Sequence, residues 1–207
     1  GKFRVTALRF GQEYAQRSAN QVFSASSRFS VGVGAFGATA NGDKNLPDAR
    51  FFSWLGQAQV IRQLPWMRTQ LVGRGVVQLS NDHLFPLEQM AVGGRYSVRG
   101  YREFTLIRDN AAMGSIEARV PVYTTKAGVD SVFLAPFFDF GHGWQSTVAT
   151  PNSPPQTLAS VGIGAIWNFW RGSHFEIYWG KQLRKFDTER GNLQDHGVHL
   201  QLVVEAF

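Results

Sequence analysis

Apolar and polar residues alternate along most of this chain, which is the pattern of β-strands whose two faces meet different surroundings. Two segments show it well, 112–123 and 157–169. In the first, apolar and polar side chains take opposite faces: Ile116, Ala118, Val120 and Val122 against Ser115, Glu117 and Arg119. The second sets Val161, Ile163 and Trp167 against Ser160, Gly162 and Asn168.

This alternation predicts a series of strands and no helix of note. The strands are expected at 2–14, 20–34, 49–64, 68–82, 85–94, 110–124, 130–145, 156–170, 173–185 and 196–207. The segment 85–94 is the weakest, and without it the chain has nine strands and a long connection at about 83–109. Strands of about 11 to 15 residues exceed the usual length in globular sheets and suit tilted membrane-spanning strands. The predicted fold class is therefore all-β, an antiparallel transmembrane β-barrel.

Composition narrows the choice of class. The chain has 207 residues, 17% of them charged, and no Cys, which excludes a disulfide scaffold, a thiol nucleophile and a thiolate metal site. No apolar stretch approaches the ~20 residues of a transmembrane helix. A mean hydropathy of −0.18 is compatible with a membrane barrel, because alternating strands average to an ordinary value. The opening at Gly1 within a strand-like pattern favours a processed chain or a fragment.

Aromatic residues collect near the predicted strand ends, at Trp144, Trp167, Phe169, Trp170 and Trp179. Aromatic rings favour the headgroup level of a bilayer and form girdles around membrane barrels. The alternative is the rim of a soluble β-sandwich, for example a carbohydrate-binding protein.

Several short motifs carry no chemistry in this context. Gly32, Gly34 and Gly37 match a dinucleotide fingerprint, but a loop follows where the fingerprint requires a helix. His196 and His199 are expected on opposite sides of a strand, and no carboxylate pair completes a metal site. No nucleophile elbow is present, and the basic residues are too scattered for a nucleic-acid surface. We therefore expect no enzyme activity, catalytic residue, cofactor, metal or nucleic-acid partner.

The connection at 83–109 contains an unusual motif, Gly93-Gly94-Arg95-Tyr96-Ser97-Val98-Arg99-Gly100-Tyr101. A loop this rich in large side chains needs a place to bury them, and the interior of a wide barrel is one. The motif resembles the GG-x-x-SVRGY signature of two-partner secretion transporters, the TpsB family, which belong to the superfamily of outer-membrane barrels with POTRA domains. In that superfamily this long extracellular loop folds back into the pore.

Two further segments resemble the same family. Phe137, Asp139 and Gly141 match its F-x-D-x-G strand motif, and strand parity separates Asp139 from the apolar Phe138 and Phe140. Glu117 and Arg119 fit its S-x-E-x-R-x-P strand. The terminal aromatic Phe207 resembles an outer-membrane β-signal, although Leu200, Leu202 and Val204 are out of phase with it, so a bulge near Val203–Val204 is expected.

The resemblance implies a location, a function and partners. It implies that residues 1–207 are the C-terminal portion, nine or so strands, of a sixteen-stranded barrel in the outer membrane of a Gram-negative bacterium. The implied function is secretion of a partner exoprotein, a haemolysin or adhesin, as an unfolded polypeptide. Outer-membrane lipid and, during biogenesis, the barrel assembly machinery are the other implied partners.

Arg99 is the residue on which the loop hypothesis depends. A loop arginine is ordinarily solvated, but Asp139 is predicted to point inward and could hold the guanidinium with two parallel hydrogen bonds. Glu117 is the rival partner. Alternatives for the whole chain are a barrel-inserting relative of the same superfamily, a general porin, or the soluble sandwich.

Overall fold

The structure is a computed structural model that describes residues 3–41, 46–146, 156–170, 172–186, 191 and 193–205. Its strands are β1 (Ala7–Arg17), β2 (Gln21–Gly32), β3 (Phe52–Gln63), β4 (Gln70–Ser80), β5 (Met90–Val92), β6 (Leu106–Arg108), β7 (Asn110–Thr124), β8 (Asp130–Trp144), β9 (Gln156–Trp170), β10 (Ser173–Gln182) and β11 (Val198–Val203). Short 3₁₀ turns occupy Trp66–Arg68 and Leu193–His196. No helix in the described ranges is long and apolar enough to cross a membrane.

Nine strands form one antiparallel sheet in the order β1-β2-β3-β4-β7-β8-β9-β10-β11, and β5 pairs only with β6. Within the described residues β1 and β11 do not pair with each other, so the sheet has two free edges. The predicted all-β, antiparallel class is confirmed. A sheet strand at 85–94 is wrong: Gly93 and Gly94 take positive φ and end the three-residue β5, so the segment belongs to the long connection.

Connections differ at the two ends of the sheet. Turns of two to six residues at one end join β1–β2, β3–β4, β7–β8 and β9–β10. The opposite end carries the long connections, 33–51, 81–109, 145–155 and 183–197. This asymmetry is typical of outer-membrane barrels.

The two faces of the sheet are chemically distinct, as the alternation predicts. Ile116, Phe138 and Leu202 are among many large apolar side chains exposed on the outer face, whereas Ala135 and Asp139 on the inner face are fully buried. An exposed apolar face of this extent would aggregate in water but is satisfied by lipid.

The loop 81–109 lies on the inner face and builds the main hydrophobic cluster there. Its side chains Val92, Val98, Tyr101 and Leu106 are buried against the sheet, where they meet Ala111 and Leu158. The hydrophobic core therefore lies between this loop and the inner face of the sheet.

Both ends of the sequence pattern need correction. The first strand begins at Ala7 rather than residue 2, and the last spans Val198–Val203 rather than 196–207. His196 lies in a 3₁₀ turn rather than a strand, so the expected alternation of His196 and His199 is wrong. Pairing of β10 with β11 shows no register shift up to Val203, and Phe207 lies outside the described residues.

Candidate functional site at the tip of the long loop

Two glycines shape the entrance to the loop tip. Gly93 and Gly94 have φ of 110° and 101°, a region in which a side chain is strained. A Cβ on Gly94 would lie 2.0 Å from the carboxylate of Glu103. That carboxylate accepts a hydrogen bond from the Arg95 amide (2.8 Å), while Ser97 Oγ accepts one from the Gly93 amide (2.8 Å). Residues 93–97 thus form a closed turn, and residues 98–101 after it face the inner side of the sheet.

Arg99 follows this turn and binds the carboxylate of Asp139 on β8. Its Nε donates to Asp139 Oδ2 (2.8 Å) and its Nη2 to Asp139 Oδ1 (2.9 Å), the two-pronged geometry, while its backbone amide adds a third bond (3.0 Å). Nη1 bonds to Glu117, and Ser115 Oγ donates to Asp139 (2.6 Å). Asp139 is fully buried and the Arg99 side chain is only 7% exposed. The structure therefore brings Arg99 together with both carboxylates, which sequence reasoning had set against each other.

Two aromatic rings also contact the Arg99 guanidinium. The Arg99 carbon Cζ lies 3.6 Å from the centre of the Phe137 ring and 4.8 Å from that of Tyr178. Burial alone would lower the pKa of Arg99, but the carboxylates of Asp139 and Glu117 outweigh it and raise that pKa. Arg99 is therefore charged at every physiological pH.

Arg119 contacts Glu117, one of the two carboxylates that bind Arg99. Its Nε donates to Glu117 Oε1 at 2.7 Å, and the Tyr178 hydroxyl lies 3.3 Å from the same oxygen. Arg119 thus acts on Glu117 and, through it, on Arg99. Arg95 pairs with Glu176 on β10 in the same way, next to the site.

Gly100 lies where no side chain fits. A Cβ on Gly100 would be 2.9 Å from the carbonyl oxygen of Gly180, and one on Gly180 would be 2.8 Å from the Gly100 amide nitrogen. The Gly100 amide donates to His199 Nε2 (3.2 Å), and its carbonyl accepts from Gln182 (2.7 Å). The tip therefore reaches β10 and β11, near one edge of the sheet.

The residues flanking Arg99 and Gly100 fill the remaining space. Tyr101 is buried, and its hydroxyl lies 2.9 Å from the Ala159 carbonyl oxygen and 2.7 Å from that of Arg184. Val98 packs over Gly141, where a Cβ would come within 2.8 Å of the valine. All three residues of the strand motif, Phe137, Asp139 and Gly141, thus lie directly beneath the loop tip.

The base of the loop has its own buried centre, Asp109, which was not among the predicted site residues. Its carboxylate is bound by His83 Nδ1 (2.9 Å), the Leu84 amide (2.9 Å), Gln89 Nε2 (2.9 Å) and Ser146 Oγ (2.9 Å). Burial raises the pKa of Asp109, but these hydrogen bonds outweigh it and leave the pKa below its usual value. The sequence signals were an Asp immediately before a predicted strand and the resemblance of Asp109-Asn110 to the family's spacing after the loop motif.

Chemically, the arrangement holds a loop in place. In the described part of the chain no group of three or more His, Cys, Asp or Glu side chains converges on a point where a metal ion could bind. The contacts are hydrogen bonds, ion pairs and ring faces, all of which can part and re-form without a covalent step.

Solved structures with the same fold come from outer-membrane proteins. CdiB from Escherichia coli aligns with a TM-score of 0.68 at 18% identity, over 94% of this chain and 35% of CdiB. BamA from Haemophilus ducreyi lacking POTRA domains 1–3 aligns at 0.63 and 15% identity, over 95% of this chain and 40% of BamA. The chain thus spans about two fifths or less of either relative. No curated protein sequence matches it.

The sequence identity to these structures is too low to assign a family, but a family model matches the chain directly. The model described as haemolysin secretion/activation protein ShlB/FhaC/HecB matches residues 1–166, which is most of the chain. These are outer-membrane β-barrel proteins, and their matched region includes the loop, its arginine and the strand that carries Asp139. The chain therefore belongs to the ShlB/FhaC/HecB family and is part of an outer-membrane β-barrel.

Proposed function

We propose that this chain is the loop-bearing portion of an outer-membrane pore that secretes a partner exoprotein, a haemolysin or adhesin, as an unfolded polypeptide. Its nine strands are the C-terminal part of a sixteen-stranded barrel. The two free edges of the sheet support this, because an unpaired edge is not tolerated in lipid and must continue into further strands.

The observation that carries the proposal is the attachment of Arg99 to Asp139 and Glu117. A loop that narrows a secretion pore has to hold one position at rest and give way during transport. Buried ion pairs suit this, because their desolvation cost offsets much of their attraction while their geometry specifies one position. Water that enters with the substrate can replace each of these hydrogen bonds.

Transport through such a pore needs no enzyme activity of its own. Both carboxylates of the site, Asp139 and Glu117, are engaged by the Arg99 guanidinium, and the exported chain gains free energy when it folds outside the cell. We therefore assign Arg99, Asp139 and Glu117 to positioning of the loop, with Gly93, Gly94, Val98, Gly100 and Tyr101 as the loop residues that make the position possible.

A second candidate is insertion of other barrels into the membrane. The likeness to BamA favours it, since a protein of that kind has nearly the same fold over this region. Two POTRA domains upstream of residue 1 would point to secretion, and a larger number to insertion.

Arg99→Ala in the full-length protein tests the proposal. It removes the guanidinium from two buried carboxylates but leaves every strand pair intact, so secretion of the partner should fall at least tenfold while barrel assembly stays normal. Secreted partner in the medium is measured against folded barrel in the membrane, scored by its heat-dependent gel mobility.

Arg50→Ala is the matched control. Arg50 is an exposed arginine at the same end of the sheet whose ion pair with Asp48 involves no residue of the 81–109 loop, so secretion should be unchanged. Normal secretion by Arg99→Ala, or equal losses in both variants, would exclude a working role for the docked loop. Defective assembly of other barrels with normal secretion would establish the insertion alternative.

A further inference from the structure

The outward face of the sheet carries very few cations, as a lipid-facing surface should. Within the described strands, the residue pairs place only two Lys or Arg side chains on that face, Arg62 on β3 and Lys181 on β10. Arg62 lies at the end of the sheet with the short turns, and Lys181 lies at the end with the long connections. Long connections are the external ones in barrels of this kind, so Lys181 lies at the external end of the wall.

The outward orientation of Lys181 follows from its neighbours on β10. Gly180 faces inward, where a Cβ would lie 2.8 Å from the loop tip, so the next residue faces outward. Trp179 on the same outward face is exposed, and so is Val161, the partner of Lys181 on β9. The strand ends one residue later, at Gln182. Lys181 is therefore an exposed cation at the external edge of an apolar, lipid-facing surface.

Two more cations follow directly, Arg184 and Lys185, and both are exposed. We call Lys181, Arg184 and Lys185 the external basic cluster. None of the three forms an ion pair with a described residue. Asp195, the one carboxylate among the described residues of 183–197, is only 1% exposed and pairs with Arg102 at 3.2 Å. The other charged residues of this connection, Asp187, Glu189 and Arg190, lie outside the described residues.

Hydrogen bonds fix the backbone that carries the external basic cluster. The Leu183 amide donates to the carbonyl oxygen of Ala159 at 2.8 Å, and the Arg184 carbonyl oxygen accepts from the Tyr101 hydroxyl at 2.7 Å. A fixed backbone lowers the conformational entropy that is lost when several side chains bind one ligand. The three cations are thus held close together before any ligand arrives.

From this position and charge we propose that the external basic cluster binds the phosphate groups of a lipid A-type glycolipid in the external leaflet. A lysine at the edge of a lipid-facing strand can extend its ammonium to headgroup level, and a tryptophan such as Trp179 favours the same level. Lysine and arginine both bind phosphate through charged hydrogen bonds. The proposal depends on the outer-membrane location of the barrel and not on secretion.

The test measures binding of lipid A to the delipidated full-length protein in detergent, by native mass spectrometry. Each basic residue near an anionic surface contributes about fivefold in affinity, so replacing Lys181, Arg184 and Lys185 together by Gln should weaken binding by more than about tenfold. Heat-dependent gel mobility verifies that the barrel is folded. Undiminished binding overturns the external basic cluster as the site.

Three exposed cations at the opposite end of the sheet provide the matched control, Arg17, Arg62 and Lys126. Replacing these three by Gln should leave the affinity unchanged, and equal losses in both triple variants overturn a specific site. Two single variants keep the test decisive if the first triple variant does not fold. Lys181→Gln should lose about fivefold, whereas Lys181→Arg should bind normally. Equal affinities of these two variants overturn the role of the charge.

The identity of the ligand is tested with two other lipids. Lipid A without its phosphates, and phosphatidylglycerol, should each bind the wild-type protein about tenfold more weakly than phosphorylated lipid A. Equal binding of the phosphate-free lipid overturns phosphate as the recognised group. Equal binding of phosphatidylglycerol overturns the assignment to a glycolipid of the external leaflet.

Discussion

The inner side of this sheet contains two regions built from the same alternation but with different chemistry. The covered wall, the inner face of β7–β11, is lined by glycines and aromatic rings and receives the loop tip. The open wall, the inner face of β1–β4, carries serine, glutamine and arginine and borders a hollow of about 360 Å³. A loop residue fills the space above some of these glycines, as Val98 does over Gly141, and a ring of the sheet fills it above others, as Tyr178 does over Gly164. The difference shows that strand parity sets which residues face inward, whereas side-chain volume decides what can rest on them.

The largest expected contrast between the two walls comes from removing a carboxylate. Asp139→Ala leaves the buried Arg99 guanidinium short of its main partner and should weaken loop docking by about 3 to 5 kcal/mol. Glu13→Ala on the open wall should change the stability by less than about 0.5 kcal/mol, as exposed substitutions do. Hydrogen exchange of the amides of residues 95–102 in the full-length protein measures docking. Equal protection in the two variants would mean that the walls do not differ in this way.

A smaller effect is expected from filling the gap beneath Gly100. Gly180→Ala puts a Cβ 2.8 Å from the Gly100 amide nitrogen, which the loop backbone can relieve only by shifting, at a cost of about 1 to 3 kcal/mol. Gly114→Ala is the control, since its Cβ would meet nothing closer than 3.8 Å. Cleavage by trypsin after Arg99 and Arg102 should accelerate in the first variant alone. Acceleration in both would point to strand damage rather than loop displacement.

The smallest expected effect is the loss of stability at the base of the loop at acidic pH. The pKa of Asp109 is lower in the folded protein than in the unfolded chain, so its contribution to stability is complete above its unfolded pKa of about 3.9 and is lost as pH falls through the lower folded value. Exchange of the Leu84 amide, corrected for its intrinsic rate, should therefore rise below about pH 4. Asp109→Asn should remove this dependence, and a protonation step that persists in that variant would assign it to another group.

Much of this architecture was open to prediction because a membrane barrel separates two solvents at every strand. The inward orientation of Asp139 was implied by the family motif and agreed with strand parity. The strands predicted at 68–82, 110–124, 130–145, 156–170 and 173–185 agree with the structure within a few residues, whereas the one predicted at 196–207 is shorter. The strand predicted at 85–94 failed because the alternation there belongs to a loop that lies on a wall and so also has two unlike sides.

Contacts across the wall were harder to predict than orientation. Glu117 was treated as a competitor of Asp139 because sequence shows no register between β7 and β8; once Ser115 pairs with Asp139, Glu117 and Asp139 flank the same guanidinium. Gly180 and His199 were missed because they lie about 80 and 100 residues from the glycine they touch. Gly180 interrupts a strand pattern, and such a glycine often marks the close approach of another backbone.

The meeting of Gly100, Gly180 and Gly197 limits how parts of such proteins can be exchanged. A Cβ on Gly197 would lie 2.1 Å from the Gly180 carbonyl oxygen and 3.3 Å from the Gly100 Cα, and Gly100 and Gly180 are as close to each other. The loop, β10 and the turn before β11 therefore form a single fitted unit although they are far apart in sequence. A chimera that takes the loop from one relative and the wall from another should dock only where all three positions lack side chains. Recombination within this family is thus expected to keep these three segments together.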